Sequence, residues 1–236
     1  MAKGKLYGVG VGPGDPGLVT IKAKEIIETA GCIAVPKTKM EKESLALSIV
    51  KEIVGEGKDI LELLFPMSFD EKVLEASWST ALEAIRAKLD SGCDVAFITL
   101  GDPTVYSTYI YMHKTLKLQG YEAVIIPGVT SFCASAAAAG ISLAENRETL
   151  AVVPSAYECG NLDEILDEFD NIVLMKVSRS FGRIRDRLKA KGLDKKAVLV
   201  QRCGLPDEAC FHDLDAVDEG AVSYFTTMII KKSGVE

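Results

Sequence analysis

Short runs of aliphatic and β-branched residues, most closed by glycine or proline and followed by a stretch of helical periodicity, recur along most of this chain. "KLYGVGV", "CIAVP", "DVAFITL", "EAVIIP", "TLAVVP", "NIVLMKV" and "KAVLVQR" read as strands, and "ILELLF" is extended. Such alternation specifies an α/β fold with largely parallel sheets. Thr20 is placed to cap a helix that carries Ile21, Ile26, Ile27 and Ala30 on one face, and Val73, Leu74, Trp78, Leu82, Ile85 and Leu89 mark a longer amphipathic helix. "AVSYFTTMIIKK" suits a terminal strand. The pattern restarts near Gly120, so the expected architecture is two α/β domains, residues 1–119 and 120–236, with a ligand cleft between them.

A length of 236 residues, with 48% hydrophobic and 26% charged residues, suits a packed protein and not a disordered one. The net charge of −7 supplies no field toward nucleic acid or an anionic membrane, so neither is an expected partner, and any anionic ligand must meet a local basic lining. No apolar run reaches the roughly 20 residues of a membrane-spanning helix, and "MAKGKLYGVGVG" lacks the features of a secretory signal, so a cytoplasmic location is expected. Cys32, Cys93, Cys133, Cys159, Cys203 and Cys210 form no C-x-x-C pair and are expected to be buried thiols. Cys203, Cys210 and His212 match no standard zinc spacing, and no metal is expected.

The stretch "GVGVGPGDPG", Gly8 to Gly17, contains the glycine spacing of a dinucleotide loop. Its chemistry argues otherwise. A pyrophosphate cradle needs backbone N–H donors and no negative charge, whereas Pro13 and Pro16 lack the donor and Asp15 brings a carboxylate. A stiff turn at a strand end is the better reading. Two further stretches, "TLGDPTVYSTY" and "IIPGVTSFCASAAAAG", also follow buried strands. Loops at the carboxyl ends of strands gather at one edge of an open α/β sheet, so three of them together make a site.

"GVGPGDPG-LVTIKA", "LGDPTVYST" and "IPGVTSF", in that order, resemble the motifs of the tetrapyrrole (corrin and porphyrin) methylases, the class III S-adenosylmethionine-dependent methyltransferases. The resemblance covers essentially the whole chain. Tyr106, Ser107 and Thr108 stand where the uroporphyrinogen-III enzymes usually carry phenylalanine, glycine and arginine, which directs the reading to the branch acting on precorrin-2. Uroporphyrinogen-III or a later precorrin is the alternative substrate. Gly17 and Val19 depart from the usual motif residues without touching its centre.

The resemblance implies a fold of two α/β domains, a homodimer, a tetrapyrrole substrate and S-adenosylmethionine as methyl donor. Carried over by position, the cofactor site comprises Pro13, Gly101, Asp102, Val105, Tyr106, Thr130, Ser131, Met175, Gly204 and Thr226. Methyl transfer from a sulfonium to an electron-rich carbon requires alignment more than a protein nucleophile. A proton acceptor would then be Asp15 or Tyr224, with Asp15 preferred. The polycarboxylate substrate needs cations, for which Lys37, Lys39, Arg147, Lys176 and Arg179 are the candidates.

Overall fold

The computed structural model describes residues 2–39, 41, 43–66, 68, 70–154 and 160–235, so Cys159 lies outside the described residues. The chain forms two compact units, Met1–Thr130 and Ser131–Glu236. The first contains β1 (Leu6–Gly10), α1 (Ile21–Thr29), β2 (Cys32–Lys37), α2 (Leu45–Val54), β3 (Asp59–Leu64), α3 (Glu71–Asp90), β4 (Val95–Thr99), α4 (Tyr109–Leu118) and β5 (Ala123–Ile126). Its sheet is wholly parallel, in the order β3-β2-β4-β1-β5. The expected domain boundary at 119/120 thus falls too early, because "EAVIIP" supplies β5, which pairs with β1 and not with the second sheet.

Both faces of this sheet are covered, which is why its strands read as unbroken apolar runs. Cys32, Ala34, Val95 and Phe97 pack with Ala81, Ile85, Leu89, Met112 and Leu116 of α3 and α4. The alternate residues Ile33, Val35, Ala96 and Ile98 pack with Ala23, Ile27, Ile49 and Val50 of α1 and α2. Local caps agree with the sequence. The Thr20 hydroxyl accepts the Ala23 N–H at 3.1 Å, and Ser44 and Asp70 cap α2 and α3 in the same way. Ile21, expected on the buried face of α1, is instead exposed, and Ala23 takes that place with Ile27.

β1 and β4 are neighbours, yet β1 leads to α1 on one face and β4 to α4 on the other. Adjacent strands whose connections depart to opposite faces leave a crevice at their carboxyl ends. Topology alone therefore sets "GPGDP" and "GDPTVYS" side by side.

The second unit contains α5 (Ser131–Ala138), β6 (Leu150–Pro154), α6 (Leu162–Glu168), β7 (Asn171–Met175), α7 (Phe181–Ala190), β8 (Ala197–Gln201), β9 (Ala209–Phe211) and β10 (Thr226–Lys231). Here the expectation of a largely parallel sheet fails. The order is β6-β7-β10-β8-β9, with β6 and β7 parallel and β10 antiparallel to both its neighbours. The last strand is central, with all six residues buried. α6 and α7 cover one face through Leu162, Leu166, Phe181, Ile184 and Leu188, and α5 packs against β10.

The thiols also divide. Cys32 and Cys203 are buried, and burial pushes each up to about 11. Cys133 and Cys210 are exposed, contrary to expectation. Cys210 Sγ lies 3.8 Å from His212 Nε2. Among the described residues, no helix is long and apolar enough to cross a membrane.

At the far end of β10, Lys231 is 8% exposed in its side chain and pairs with Glu148 at 2.9 Å and Glu145 at 3.3 Å. Hydrogen bonds from Lys231, and then from Asn171, hold the Glu148 carboxyl down to about 2, from an ordinary 4.5. A depressed carboxylate contributes stability above its unfolded pKa and loses it as pH falls through the folded one. Glu148→Gln should therefore flatten the decline of the thermal midpoint between pH 4.5 and pH 2; a decline identical to that of the unaltered protein would show that the pair contributes nothing.

Candidate active site

Three loops of the first unit are tied together with little tolerance. Gly12 and Gly101 exchange backbone hydrogen bonds, at 2.8 Å from the Gly101 N–H and 3.3 Å from the Gly12 N–H. Both glycines lie in the left-handed region, at φ +77° and +66°. A Cβ on Gly128 would sit 2.2 Å from the Gly101 carbonyl oxygen, and one on Gly10 would sit 2.7 Å from the Gly128 nitrogen. No side chain fits there. The loops after β1, β4 and β5 meet backbone against backbone.

Asp102, 8% exposed, locks this arrangement. Its Oδ1 accepts the Thr104 N–H at 2.7 Å and the Thr104 hydroxyl, while Oδ2 accepts the Gly128 N–H at 3.0 Å. The carboxylate thus ties the turn after β4 to the loop after β5. Underneath, Thr99 and Ser107 share a buried hydroxyl bond of 2.9 Å, and Ser107 Oγ accepts the Tyr109 N–H. Val105 donates its N–H to the Asp102 carbonyl at 3.2 Å, which closes the turn and presents Tyr106, 52% exposed and left-handed at φ +50°.

Pro13 follows Gly12 in the first of these loops. Asp15 is exposed, and its Oδ1 accepts the Gly17 N–H at 2.7 Å, capping the short 3-10 turn Pro16–Leu18. Thr130 closes the unit, and its Oγ1 is buried with no hydrogen-bond partner among the described residues. Lys37, at the end of β2, is committed to Glu62 on the neighbouring strand at 3.0 Å, its side chain only 9% exposed. Lys39 is exposed just beyond it.

In the second unit, Ser131 begins α5. Met175 ends β7 opposite Thr227, and Thr226 begins β10 opposite Gln201. Thr226, 2% exposed, also has a buried Oγ1 with no partner among the described residues. A buried hydroxyl left unpaired costs about 1–3 kcal/mol, so such an oxygen points to a polar group supplied from outside the chain. Gly204, at φ +78°, follows β8 and donates its N–H to Glu208 Oε2 at 2.6 Å. Tyr224 is 42% exposed, with the Lys176 ammonium 5.6 Å from its ring centroid. Arg179 is exposed on the 3-10 turn Val177–Arg179.

The structure therefore brings Met175, Lys176, Arg179, Gly204, Tyr224 and Thr226 to one end of the second sheet. Arg147 is not with them. It precedes β6, whose first residue pairs with Asn171 at the start of β7, four residues from Met175, or about 13 Å along the strand. Sequence reading missed Arg202 and Phe225 at the populated end. Arg202 has no distinguishing sequence signal, because its left-handed backbone is not a property of arginine.

A family model described as tetrapyrrole (corrin/porphyrin) methylases matches residues 5–216. The chain belongs to the tetrapyrrole methylase family. Among relatives of this methylase, the cobalt-precorrin-2 C(20)-methyltransferase of Salmonella typhimurium is 37% identical over 97% of both chains. A probable cobalt-precorrin-2 C(20)-methyltransferase of Methanocaldococcus jannaschii is 40% identical, over 97% of this chain and 96% of its own. The solved structure of a cobalt precorrin-4 methyltransferase superposes with a TM-score of 0.75 at 22% identity, covering 98% of this methylase and 96% of that chain. A uroporphyrin-III C-methyltransferase from Thermus thermophilus gives 0.68 at 23% identity, covering 98% and 95%. These two likenesses establish the fold.

If Asp102 is the tie between loops, Asp102→Ala leaves the Gly128 and Thr104 N–H groups without an acceptor and should cost about 1–3 kcal/mol in urea unfolding. Gly128→Ala, which drives a Cβ into a carbonyl, should cost at least as much. An unchanged urea midpoint in both variants would show that the loops hold without these contacts.

Proposed function

We propose that this methylase transfers a methyl group from S-adenosylmethionine to carbon 20 of cobalt-precorrin-2 or precorrin-2, in cobalamin biosynthesis. One observation carries the reading: two relatives with that activity in their names are 37% and 40% identical over 97% of the chain. A relative named S-adenosyl-L-methionine-dependent uroporphyrinogen III methyltransferase, from Methanosarcina barkeri, is 29% identical over 84% of the chain and supports the alternative less well. The precorrin-2 C(20)-methyltransferase of a Sinorhizobium species is 28% identical, so the cobalt form is the favoured substrate.

The residues suit the donor. When bound, S-adenosylmethionine supplies a methyl group already activated on a sulfonium, so the protein needs no nucleophile of its own. Thr130 Oγ1 in the first unit and Thr226 Oγ1 in the second, each without a hydrogen-bond partner among the described residues, are each suited to bond an amino acid or ribose group. The backbone around Pro13, Gly101, Val105 and Tyr106 offers a rigid wall whose shape Asp102 holds, so Asp102 serves the site from behind rather than by contact. Ser131, Met175 and Gly204 are carried in the same assignment, with Met175 as polarizable packing surface. Rigidity matters because the rate gained by alignment reaches roughly 7–11 kcal/mol when reacting atoms are held in line.

Asp15 is better assigned to the turn than to proton transfer, since its carboxylate already caps that turn. Tyr224, open to solvent at one end of the second sheet, is the remaining candidate to accept a proton. For the substrate acids, Lys176 and Arg179 are retained. Lys37 is drawn off by Glu62, and Arg147 stands at the opposite end of its sheet.

Incubation with carbon-13 methyl-labelled S-adenosylmethionine and precorrin-2, with and without cobalt, followed by NMR of the product, should place the label at carbon 20, with faster turnover of the cobalt form. Label at another position would overturn the assignment. The reading includes a homodimer, for which sedimentation equilibrium should give twice the chain mass of 25.4 kDa; a single-chain mass would remove that part.

A further inference from the structure

We propose that Lys176 and Arg202 are a matched pair of specificity-determining cations that clasp the start of β10, with Tyr224 and Phe225 as apolar surface beside them, and that they recognise the acid side chains of a polycarboxylate macrocycle. This rests on the substrate class proposed above and goes beyond it in naming Arg202, Phe225 and the pairing.

Backbone geometry is the first support. Among the described residues, the non-glycine residues with positive φ are Tyr106, Asn146, Lys176 and Arg202. Asparagine enters this region readily, whereas lysine and arginine have no intrinsic reason to do so. Lys176 and Arg202, at φ +58° and +51°, directly follow β7 and β8, the two strands that flank β10. The Lys176 N–H donates to the Thr226 carbonyl at 3.1 Å, and the Arg202 N–H to the Phe225 carbonyl at 2.7 Å. Two adjacent strand spacings put their Cα atoms about 10 Å apart. Glycine would satisfy both backbones with less strain, so a lysine and an arginine at these positions call for a role.

The surroundings supply the chemistry. Tyr224 and Phe225 are each 42% exposed, and their rings meet edge-on at 5.4 Å. Lys176 rests its ammonium near the face of Tyr224. Arg202 Nε pairs with Asp207 Oδ2 at 2.5 Å, and Asp207 is 61% exposed. The guanidinium is thus already steadied by one carboxylate, and its fork has further donors for a second. In a chain of net charge −7, Lys176 supplies local attraction for a polyanion, while Arg202, its charge balanced by Asp207, contributes the remaining N–H donors of its fork.

The test uses Lys176→Asn, Arg202→Asn and the double variant, because asparagine tolerates the left-handed backbone and preserves the fold while removing the charge. Uroporphyrin I, an octacarboxylic tetrapyrrole, is titrated by fluorescence quenching, with coproporphyrin I as the less acidic control, and S-adenosylmethionine is titrated by calorimetry. Each single variant should weaken uroporphyrin binding about tenfold, as expected for loss of a charge-assisted contact. Coproporphyrin should lose less, the S-adenosylmethionine affinity should stay unchanged, and the thermal midpoints should not fall. Uroporphyrin affinity unchanged in the double variant, equal weakening toward S-adenosylmethionine, or no saturable binding of uroporphyrin by the unaltered protein would each overturn the pairing. Failure of the unaltered protein to label carbon 20 would instead count against the proposed function, whatever the binding results.

Discussion

The first unit depends on a close approach that only glycine permits. Gly10, Gly101 and Gly128 lie at or just beyond the carboxyl ends of three neighbouring strands, and a Cβ on Gly10 or Gly128 would collide with the backbone of the other two. Hydrophobic packing on the two faces brings β1, β4 and β5 together, but packing is indifferent to how the loops above them end. The buried Asp102 carboxylate makes that decision, since it accepts donors from both its own turn and the loop after β5. A buried acid with three protein donors is well satisfied. The wall so formed holds its shape through backbone atoms, which leaves little freedom for rearrangement.

Much of this was legible in the chain because the physical rules involved are local. The strand runs, the caps at Thr20 and the crossing of "GPGDP" with "GDPTVYS" follow from periodicity, turn chemistry and the rule that open sheets gather their loops at one edge. Expectations failed where a long-range choice decided the outcome. "EAVIIP" has the same composition whether it opens a second sheet or completes the first, and only its pairing with β1 distinguishes the two. "TTMIIK" reads as a terminal strand and is the last in the chain, but nothing local shows that it takes the centre of its sheet. Ile21 shares the apolar character of Ile26 and Ile27, but at 3.6 residues per turn it lies on the opposite side of α1 from Ala23, Ile26, Ile27 and Ala30, and helical geometry alone turns it to solvent.

Site residues divide along the same line. Residues inside the motifs landed together, because a motif records a shared loop geometry. The basic residues were proposed from their proximity to strand ends, and a strand has two. Arg147 stands at the end opposite Lys176, and Lys37 is paired with Glu62 on the next strand, which no local pattern announces. Arg202 and Phe225 were missed for the opposite reason. Their interest comes from an unusual backbone and an unburied ring, neither of which is written in residue type.

The central position of β10 also bears on how the polypeptide is born. In the first unit β1 and β2 also precede β4, the strand that joins them, but all five strands are made while the rest of the chain is still to come. In the second unit, β7 and β8 leave the ribosome before the strand that joins them, each with an open row of amide and carbonyl groups facing an empty lane. Until Thr226–Lys231 arrives, these edges are free to pair with other chains, and non-local closure of this kind is slow. Closure of the second sheet therefore waits on the last strand of the chain, an interval that the finished sheet conceals.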